Sequence, residues 1–227
     1  MDEKIDGLPN QRSLWDAEYR AKGRLWGKIP HEQTLGIGDG IFLELGCGSG
    51  KNLKRSEKGL FRIGLDFSLQ ALHFCRTNPE LSDISYICAD VRYLPFKDET
   101  IHSSDAHHVF GHLLAKGRSS AAFEIARVLK RNGELLVTVF GTGDFRNGMG
   151  LEVENGTYLK GNEIITHYFT RDELHALFSV LSPLSSKSHT WIMRVKDKCL
   201  PRFVWTIKYV KTLQKESVLY IHSKKNI

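Results

Sequence analysis

Phe42-Leu43-Glu44-Leu45-Gly46-Cys47-Gly48-Ser49-Gly50 is the stretch that decides the fold. An apolar run stops on a glycine-rich turn and a short polar segment follows. That is the pattern of a buried strand, a tight loop and a helix start. Gly46, Gly48 and Gly50 carry no side chains, so the backbone can take left-handed dihedrals and a ligand can lie directly on it. Glu44 falls near the carboxyl end of the strand, the edge at which open α/β sheets bind ligands.

The spacing, Gly-x-Gly-x-Gly, departs from the dinucleotide fingerprint Gly-x-Gly-x-x-Gly, because Lys51 stands where the third glycine would close helix onto strand. A phosphate-cradling Gly-x-x-x-x-Gly-Lys-Ser/Thr loop is also excluded. Gly46 and Lys51 lack its separation, and Asn52 replaces the hydroxyl that would hold magnesium. A carboxylate beside the turn would repel a diphosphate and would suit an ammonium group.

Glu44-Leu45-Gly46-Cys47-Gly48-Ser49-Gly50 resembles the first motif of the small class I S-adenosylmethionine-dependent methyltransferases of the type 11 kind. The downstream order agrees. Phe61-Arg62-Ile63-Gly64-Leu65-Asp66 reads as a second strand ending on a carboxylate, about 20 positions past the glycine loop, well placed to accept from ribose hydroxyls. Residues 84–90 read as a third, buried strand ending on Asp90. Asp90-Val91 resembles the family's adenine contact, and residues 92–98 resemble the loop before the fourth strand. From Glu124 a helix is expected, then the turn Lys130-Arg131-Asn132-Gly133-Glu134, then a fifth strand over residues 135–140. Asn132 stands where a proline usually precedes the glycine.

The resemblance covers roughly residues 41–178 and implies S-adenosyl-L-methionine as cofactor. The cofactor contacts it implies are Glu44, Gly46, Cys47, Gly48, Gly50 and Asn52 at the turn, and Asp66, Phe67 and Ser68 after the second strand. Asp90 and Val91 follow the third, and Ala106 and His107 lie at the end of the fourth. The fold it implies is α/β: a Rossmann-like, doubly wound, seven-stranded sheet with helices on both faces. That sheet is mostly parallel, with one antiparallel strand near the C-terminus, where residues 187–195 and 202–211 read as a closing hairpin.

The 227 residues suit one methyltransferase domain with decoration. Residues 1–34 read as an N-terminal lid, 35–140 as the cofactor core, 141–170 as a substrate-side insertion, and 171–227 as the last helix and hairpin. Trp15 and Tyr19 sit at helical spacing on a segment broken by Gly23 and Gly27. Tyr19, Arg24 and Trp26 are the lid candidates at the acceptor entrance, with Arg24 suited to the cofactor's carboxylate. Residues 141–161 read as a loop or short hairpin, followed by a strand-like run through His167 and Tyr168, two further entrance candidates. Thr170 and Glu173 have the spacing of a capping box.

Methyl transfer from a sulfonium is a direct displacement, so the protein mainly orients and desolvates. A base is needed only if the acceptor must lose a proton early. The catalytic residue is open, with His107, His108 and His112 as candidates because imidazole titrates near neutrality. In the superfamily, Asn/Asp-Pro-Pro-Tyr after the fourth strand marks methylation of exocyclic base amines, and a nearby cysteine marks the cytosine-5 class. Asp105-Ala106-His107-His108 carries neither.

What remains is a small molecule, a protein side chain or an RNA position methylated by another mechanism, and the compact chain with no recognisable RNA-binding appendage makes a small molecule the expectation. The alternatives are tRNA or other RNA held by the basic C-terminal region, or a non-catalytic, cofactor-binding accessory role. The net charge of +6 concentrates late in the chain, at Arg194, Lys196, Lys198, Arg202, Lys208 and Lys211 among others. A solvated face accounts for that stripe, and a phosphate partner is the other reading. Cys47, Cys75, Cys88 and Cys199 are scattered, so neither a disulfide framework nor a metal site is expected, and Cys47 and Cys88 read as small core fillers. No apolar run approaches the roughly 20 residues of a membrane span and the N-terminus lacks a signal architecture, so a cytoplasmic protein without a membrane partner is expected. Oligomeric state is not encoded in anything recognisable.

Overall fold

The computed structural model describes residues 8–23, 25, 40–53 and 60–212. Arg24, Trp26 and the tail beyond 212 lie outside the described residues. In chain order the elements are α1 (Gln11–Lys22), β1 (Gly40–Leu45), β2 (Leu60–Asp66), α2 (Leu69–Arg76), β3 (Ser85–Cys88), β4 (Ile101–His107) and α3 (Ala115–Val128). Then follow β5 (Leu129–Phe140), β6 (Leu151–Glu154), β7 (Thr157–Leu159), β8 (Ile165–His167), α4 (Arg171–Leu177), β9 (Ser182–Val195) and β10 (Lys198–Val210).

Seven strands form one sheet in the order β3-β2-β1-β4-β5-β10-β9. Neighbours from β3 to β5 pair in parallel, while β10 runs antiparallel to both β5 and β9. This is the expected doubly wound sheet with one reversed strand. Strand order reverses between β1 and β4, and that switch point opens a crevice at the carboxyl ends of the strands.

Strand alternation separates the two faces. Phe42 points into a cluster with Leu72, Cys75, Leu81 and Ile84 beside α2. Its neighbours Leu43 and Leu45 point the other way, into the larger cluster with Ala122, Ile125, Leu174 and Phe178 from α3 and its surroundings.

Three details differ from the sequence reading. The fifth strand starts at Leu129 rather than 135, and the Lys130-to-Gly133 turn is a bulge inside it: Ile101 pairs Leu129, and Ser103 then pairs Glu134. Asn132 takes φ +61° there. A Cβ on Gly133 would stand 2.8 Å from the Lys130 carbonyl oxygen, so close backbone approach selects the glycine. Next, β3 is the sheet's edge strand, and Cys88 is exposed rather than a core filler. Finally, residues 141–161 are more than a loop. With the following run they fold as a separate antiparallel sheet, β6-β7-β8, whose first hairpin turns at Asn155-Gly156 with Gly156 at φ +68°.

Two connections set the rim of the crevice. The inserted sheet is tied to the main sheet by a bridge between Gly141 and Phe169. The β9–β10 hairpin pairs β5 only along 204–210, so its remainder projects past Phe140 at the carboxyl edge. Among the described residues no helix is long and apolar enough to cross a membrane.

Candidate active site

A cleft of about 1100 Å³ lies at the switch point. Its floor comes from strand ends: Gly46 after β1, Asp66 and Phe67 after β2, Asp90 and Val91 after β3, and His107 at the end of β4. Its roof is α1, through Trp15 and Tyr19, and its far wall includes His112 and Ile165.

The glycine turn takes left-handed dihedrals at Gly46 (φ +62°), Gly48 (+54°) and Gly50 (+78°), which other residues reach only with strain. Each glycine also has a close neighbour. A Cβ would stand 2.2 Å from Val109 Cγ2 at Gly46, 2.6 Å from the Tyr19 hydroxyl at Gly48 and 2.4 Å from Leu81 Cδ1 at Gly50. Gly46 borders the cleft; Gly48 lies under Tyr19, and Gly50 packs into the α2-side core.

Asp66 organises this corner. Its Oδ2 accepts from the Gly48 N–H at 2.9 Å and its Oδ1 from the Ser68 N–H at 2.8 Å. Burial raises its pKa to about 6, against the lowering effect of those N–H donors. The Ser68 hydroxyl accepts from Ala71 N, capping α2, and donates to Asp16 Oδ1 at 2.6 Å. Gln70 N donates to the same Asp16 oxygen at 3.2 Å, so α1 is fastened onto the start of α2.

Glu44 lies beneath the turn and not on the cleft. It is buried, and its Oε1 accepts from Asn52 Nδ2 at 2.9 Å. Its other oxygen is buried without a hydrogen-bond partner among the described residues, and burial pushes its pKa well up. Asp105, beside Glu44 in the strand register, raises it further. Glu44, Cys47, Asn52, Ser68 and Ala106 are all buried, with none of them on the cleft lining; they shape the turn from below.

Asp90 borders the cleft but is engaged by a residue two positions on. Arg92 grips both carboxylate oxygens, with Nε at 3.0 Å from each and Nη2 at 2.6 Å from Oδ2. Nothing in the spacing flagged Arg92, although an arginine two residues past an acceptor carboxylate can always fold back on it.

Of the three candidate histidines, all border the cleft. His107 Nε2 lies 3.5 Å from Asp105 Oδ2. His108 takes φ +64°, donates its backbone N–H to Thr138 O at 2.6 Å, and stacks on Phe140 at 4.2 Å between ring centroids. His112 is the best defined. Its Nδ1 sits 2.7 Å from the Ile165 carbonyl oxygen, which can only accept, so Nδ1 carries the proton and Nε2 is the basic nitrogen. Nε2 is buried with no hydrogen-bond partner among the described residues, and the ring meets Trp15 edge-on at 4.8 Å. Burial lowers the His112 pKa to about 4, with Arg146 adding to the effect.

His167 and Tyr168 stand elsewhere. His167 is buried between Thr157 Oγ1 and Glu173 Oε1, each at 2.8 Å, and anchors the inserted sheet to α4. Tyr168 is buried against Phe140 and Tyr158. Among the described residues no cluster of His, Cys, Asp and Glu could hold a metal ion.

The roof depends on residues that no motif marks. Gln11 Nε2 donates to Glu163 O at 3.0 Å, and its Oε1 accepts from Ile165 N at 3.1 Å. Asn162 Nδ2 donates to Glu18 Oε1 at 3.1 Å, and Arg12 reaches Cys88 Sγ at 3.4 Å. Helix α1 thus spans from the start of α2 to the inserted sheet.

Residues 43–137 match the family model described as a methyltransferase domain. The matched stretch is a methyltransferase domain, its sheet order and switch-point cleft have the fold of the class I S-adenosylmethionine-dependent methyltransferases, and the cofactor such a fold implies is S-adenosyl-L-methionine. Among curated proteins, a tRNA N(3)-cytidine methyltransferase METTL2 from Gallus gallus is 27% identical over 153 residues, which is 60% of this chain and 41% of that protein. A demethylmenaquinone methyltransferase from Corynebacterium urealyticum is 31% identical over 121 residues, covering 52% of this chain and 50% of the relative. The chain thus spans about half or less of the length of these relatives. In fold it is similar to a chain from the complex between the Haloferax volcanii Trm112 methyltransferase activator and a methyltransferase. The TM-score is 0.65 at 22% identity, covering 90% of this chain and 99% of that one.

The cleft lining suits the adenosyl cofactor. Acceptor carboxylates for hydroxyl and amine donors stand at the ends of β2 and β3, and a bare glycine backbone stands at the end of β1.

Proposed function

We propose that the chain transfers a methyl group to a small-molecule nucleophile held under α1. The observation that carries this reading is the roof. Helix α1 is bonded both to the α2 start and to the inserted sheet, leaving a covered cleft of about 1100 Å³. Pockets for drug-sized ligands span roughly 300–1000 Å³, so a cleft at the top of that range suits the cofactor and one compact acceptor. We assign Asp66 to the ribose hydroxyls and Asp90 with the Val91 backbone to the adenine, which requires Arg92 to release Asp90. Gly46 and its neighbours in the turn take the amino-acid end. Bound S-adenosylmethionine supplies an electrophilic methyl on a sulfonium centre.

The chain's own residues then orient the acceptor and exclude water. Trp15 and Tyr19 cover the cleft, and His112 offers the bare Nε2 to an acceptor proton. Its lowered pKa of about 4 leaves that lone pair unprotonated at physiological pH but weakly basic, so it suits accepting a hydrogen bond from the acceptor and positioning it more than removing its proton. Calorimetric titration with S-adenosylmethionine tests the reading: micromolar binding is expected, and no heat across that range sinks it.

A second reading, an RNA acceptor, draws on the projecting β9–β10 hairpin, where Arg194, Lys196 and Lys198 are exposed, and on the tRNA-modifying relative. Lys208 and Lys211 are less suited to this role, because they pair with Glu134 at 2.7 Å and Glu99 at 3.5 Å. Affinity for tRNA that falls steeply with salt and weakens on charge reversal at Arg194 and Lys198 would favour it. Binding indifferent to ionic strength would remove it.

A further inference from the structure

Behind His108, three cations gather around one carboxylate. Asp144 is fully buried, and its acceptor capacity is used up. Its Oδ1 takes the Arg146 N–H and Nε–H at 3.1 Å each, and its Oδ2 takes Arg202 Nε at 2.6 Å and the Phe203 N–H at 3.3 Å. Arg146 and Arg202 both lie over the Phe140 ring, at 4.3 and 4.6 Å from its centroid. The third cation, Lys160, stands 4.7 Å from the Tyr168 ring centroid. It donates only to carbonyl oxygens, of Arg146 at 2.9 Å and Met149 at 2.7 Å. Arg146 Nη2 and the Tyr168 hydroxyl are buried polar atoms without a hydrogen-bond partner among the described residues.

Charge and donors are therefore both in excess. Asp144 offsets only one of the three positive charges; Arg202 is buried, Arg146 and Lys160 are partly buried, and the orphaned guanidinium and phenol donors add to the cost of holding them there. Aromatic faces offset only part of it, about 0.5–2 kcal/mol per contact. The lowering of the Lys160 pKa to about 8 by burial, with Arg146 adding to it, reports the same imbalance. The cluster is also placed to matter. Phe140, which the two arginines cover, stacks on His108 at the cleft lining, and the Arg146 charge reaches His112.

We infer that Arg146, Lys160 and Tyr168 form a binding site for an oxyanion, a phosphate or carboxylate group carried by the methyl acceptor, beside the methyl-transfer cleft. The inference rests on the methyltransferase reading for the word acceptor, but the site itself does not. Arginine supplies a planar fork for such a group, lysine a mobile point charge, and Tyr168 a neutral hydroxyl donor.

The test is a titration of the whole chain with sulfate, whose charge is constant between pH 6 and 9, at fixed ionic strength. Wild-type protein is expected to bind sulfate, at least tenfold more weakly in Arg146→Gln and in Lys160→Met, with Arg146→Lys partly restoring it. Binding should also weaken as pH rises through about 8, where Lys160 loses its proton. Circular dichroism and the melting temperature check that each variant folds. Tyr168→Phe, which removes only a hydroxyl, provides a variant that keeps the packing.

A nucleoside monophosphate and a tRNA transcript separate the sources. Competition with sulfate by the monophosphate alone assigns a small phosphorylated acceptor. Competition by tRNA, with a salt slope about one unit smaller in each charge variant, assigns a nucleic-acid phosphate. Sulfate affinity that is absent, or unchanged in the folded variants, overturns the site. Titration with S-adenosylmethionine in parallel keeps the two ideas apart, since loss of cofactor binding with intact sulfate binding would sink the methyltransferase reading and leave the anion site standing.

Discussion

The floor and the roof of the cleft are built from different kinds of contact. On the floor, Asp66 bonds the backbone of Gly48 and Ser68, 18 and 2 positions away, and Asp90 bonds Arg92, 2 positions away. On the roof, Gln11 bonds the backbone of Glu163 and Ile165, 152 and 154 positions away. The floor is thus a property of strand ends and tight turns, which local sequence dictates. The roof exists only when two distant segments meet, so it costs more loop-closure entropy and is the side expected to open. On the proposed assignment, cofactor chemistry falls on the rigid side and acceptor choice on the adjustable one.

The sharpest way to break this comparison is at Asp66. Asp66→Ala leaves two buried N–H groups without an acceptor and removes the proposed ribose contact. Calorimetry should show cofactor affinity reduced on the order of 100-fold. A loss below about fivefold would mean the floor is not the cofactor side.

Glycine replacements compare the two regions directly. At Gly150, a Cβ would stand 2.2 Å from the Leu159 carbonyl oxygen with φ at +104°, so backbone must move. At Gly48 it would meet the Tyr19 hydroxyl at 2.6 Å with φ +54°, and that side chain can swing away. Denaturant unfolding should show Gly150→Ala costing about 3 kcal/mol or more and Gly48→Ala about 1–2 kcal/mol. In Gly48→Ala, protease sensitivity should rise within α1 as Tyr19 is displaced. Equal costs would argue that Tyr19 and α1 yield no more readily than the backbone of the inserted sheet.

A smaller effect is expected at the roof bonds. Gln11→Ala and Asp16→Ala should each lower stability by only about 0.5–1.5 kcal/mol while raising acceptor KM and leaving cofactor affinity within about twofold. A larger effect on the cofactor than on the acceptor would reverse the assignment of floor and roof.

The slightest effect is in pH. The Asp66 pKa is raised to about 6 in the folded chain from an ordinary value near 3.8. Protonation is thus easier folded than unfolded, and this group's contribution to stability increases as pH falls from above 6 toward 4. Cofactor affinity should move the other way, dropping below about pH 6 as the carboxylate loses its acceptor character. Parallel movement of the two would exclude Asp66 as a cofactor contact.

How much of this was legible follows the same division. The glycine turn, the carboxylates ending β2 and β3, the reversed late strand and the Thr170 cap all follow from local patterns, and the cap is seen directly, with Glu173 N donating to Thr170 Oγ1 at 3.1 Å. The inserted sheet was half-legible: Asn155-Gly156 between two short apolar-alternating runs is a hairpin signal, but the third strand pairs through residues ten positions on. His167 and Tyr168 read as entrance residues because of where they fall in the order. Folding turns both inward, His167 toward Glu173 and Tyr168 toward Phe140.

Sequence alone determined the class of sheet, the end of it that binds, and the cofactor its carboxylates suit. Strand periodicity and glycine spacing are short-range properties that survive in any context. Tertiary structure decided the rest: that Glu44 lies beneath the turn, that Arg92 holds Asp90, that the Ile165 carbonyl fixes the His112 proton on Nδ1, and that Arg146 and Arg202 share a single carboxylate with Lys160 beside them. Those outcomes depend on which side chains arrive together from distant segments and how much water they lose on arrival, and no window along the chain contains that information.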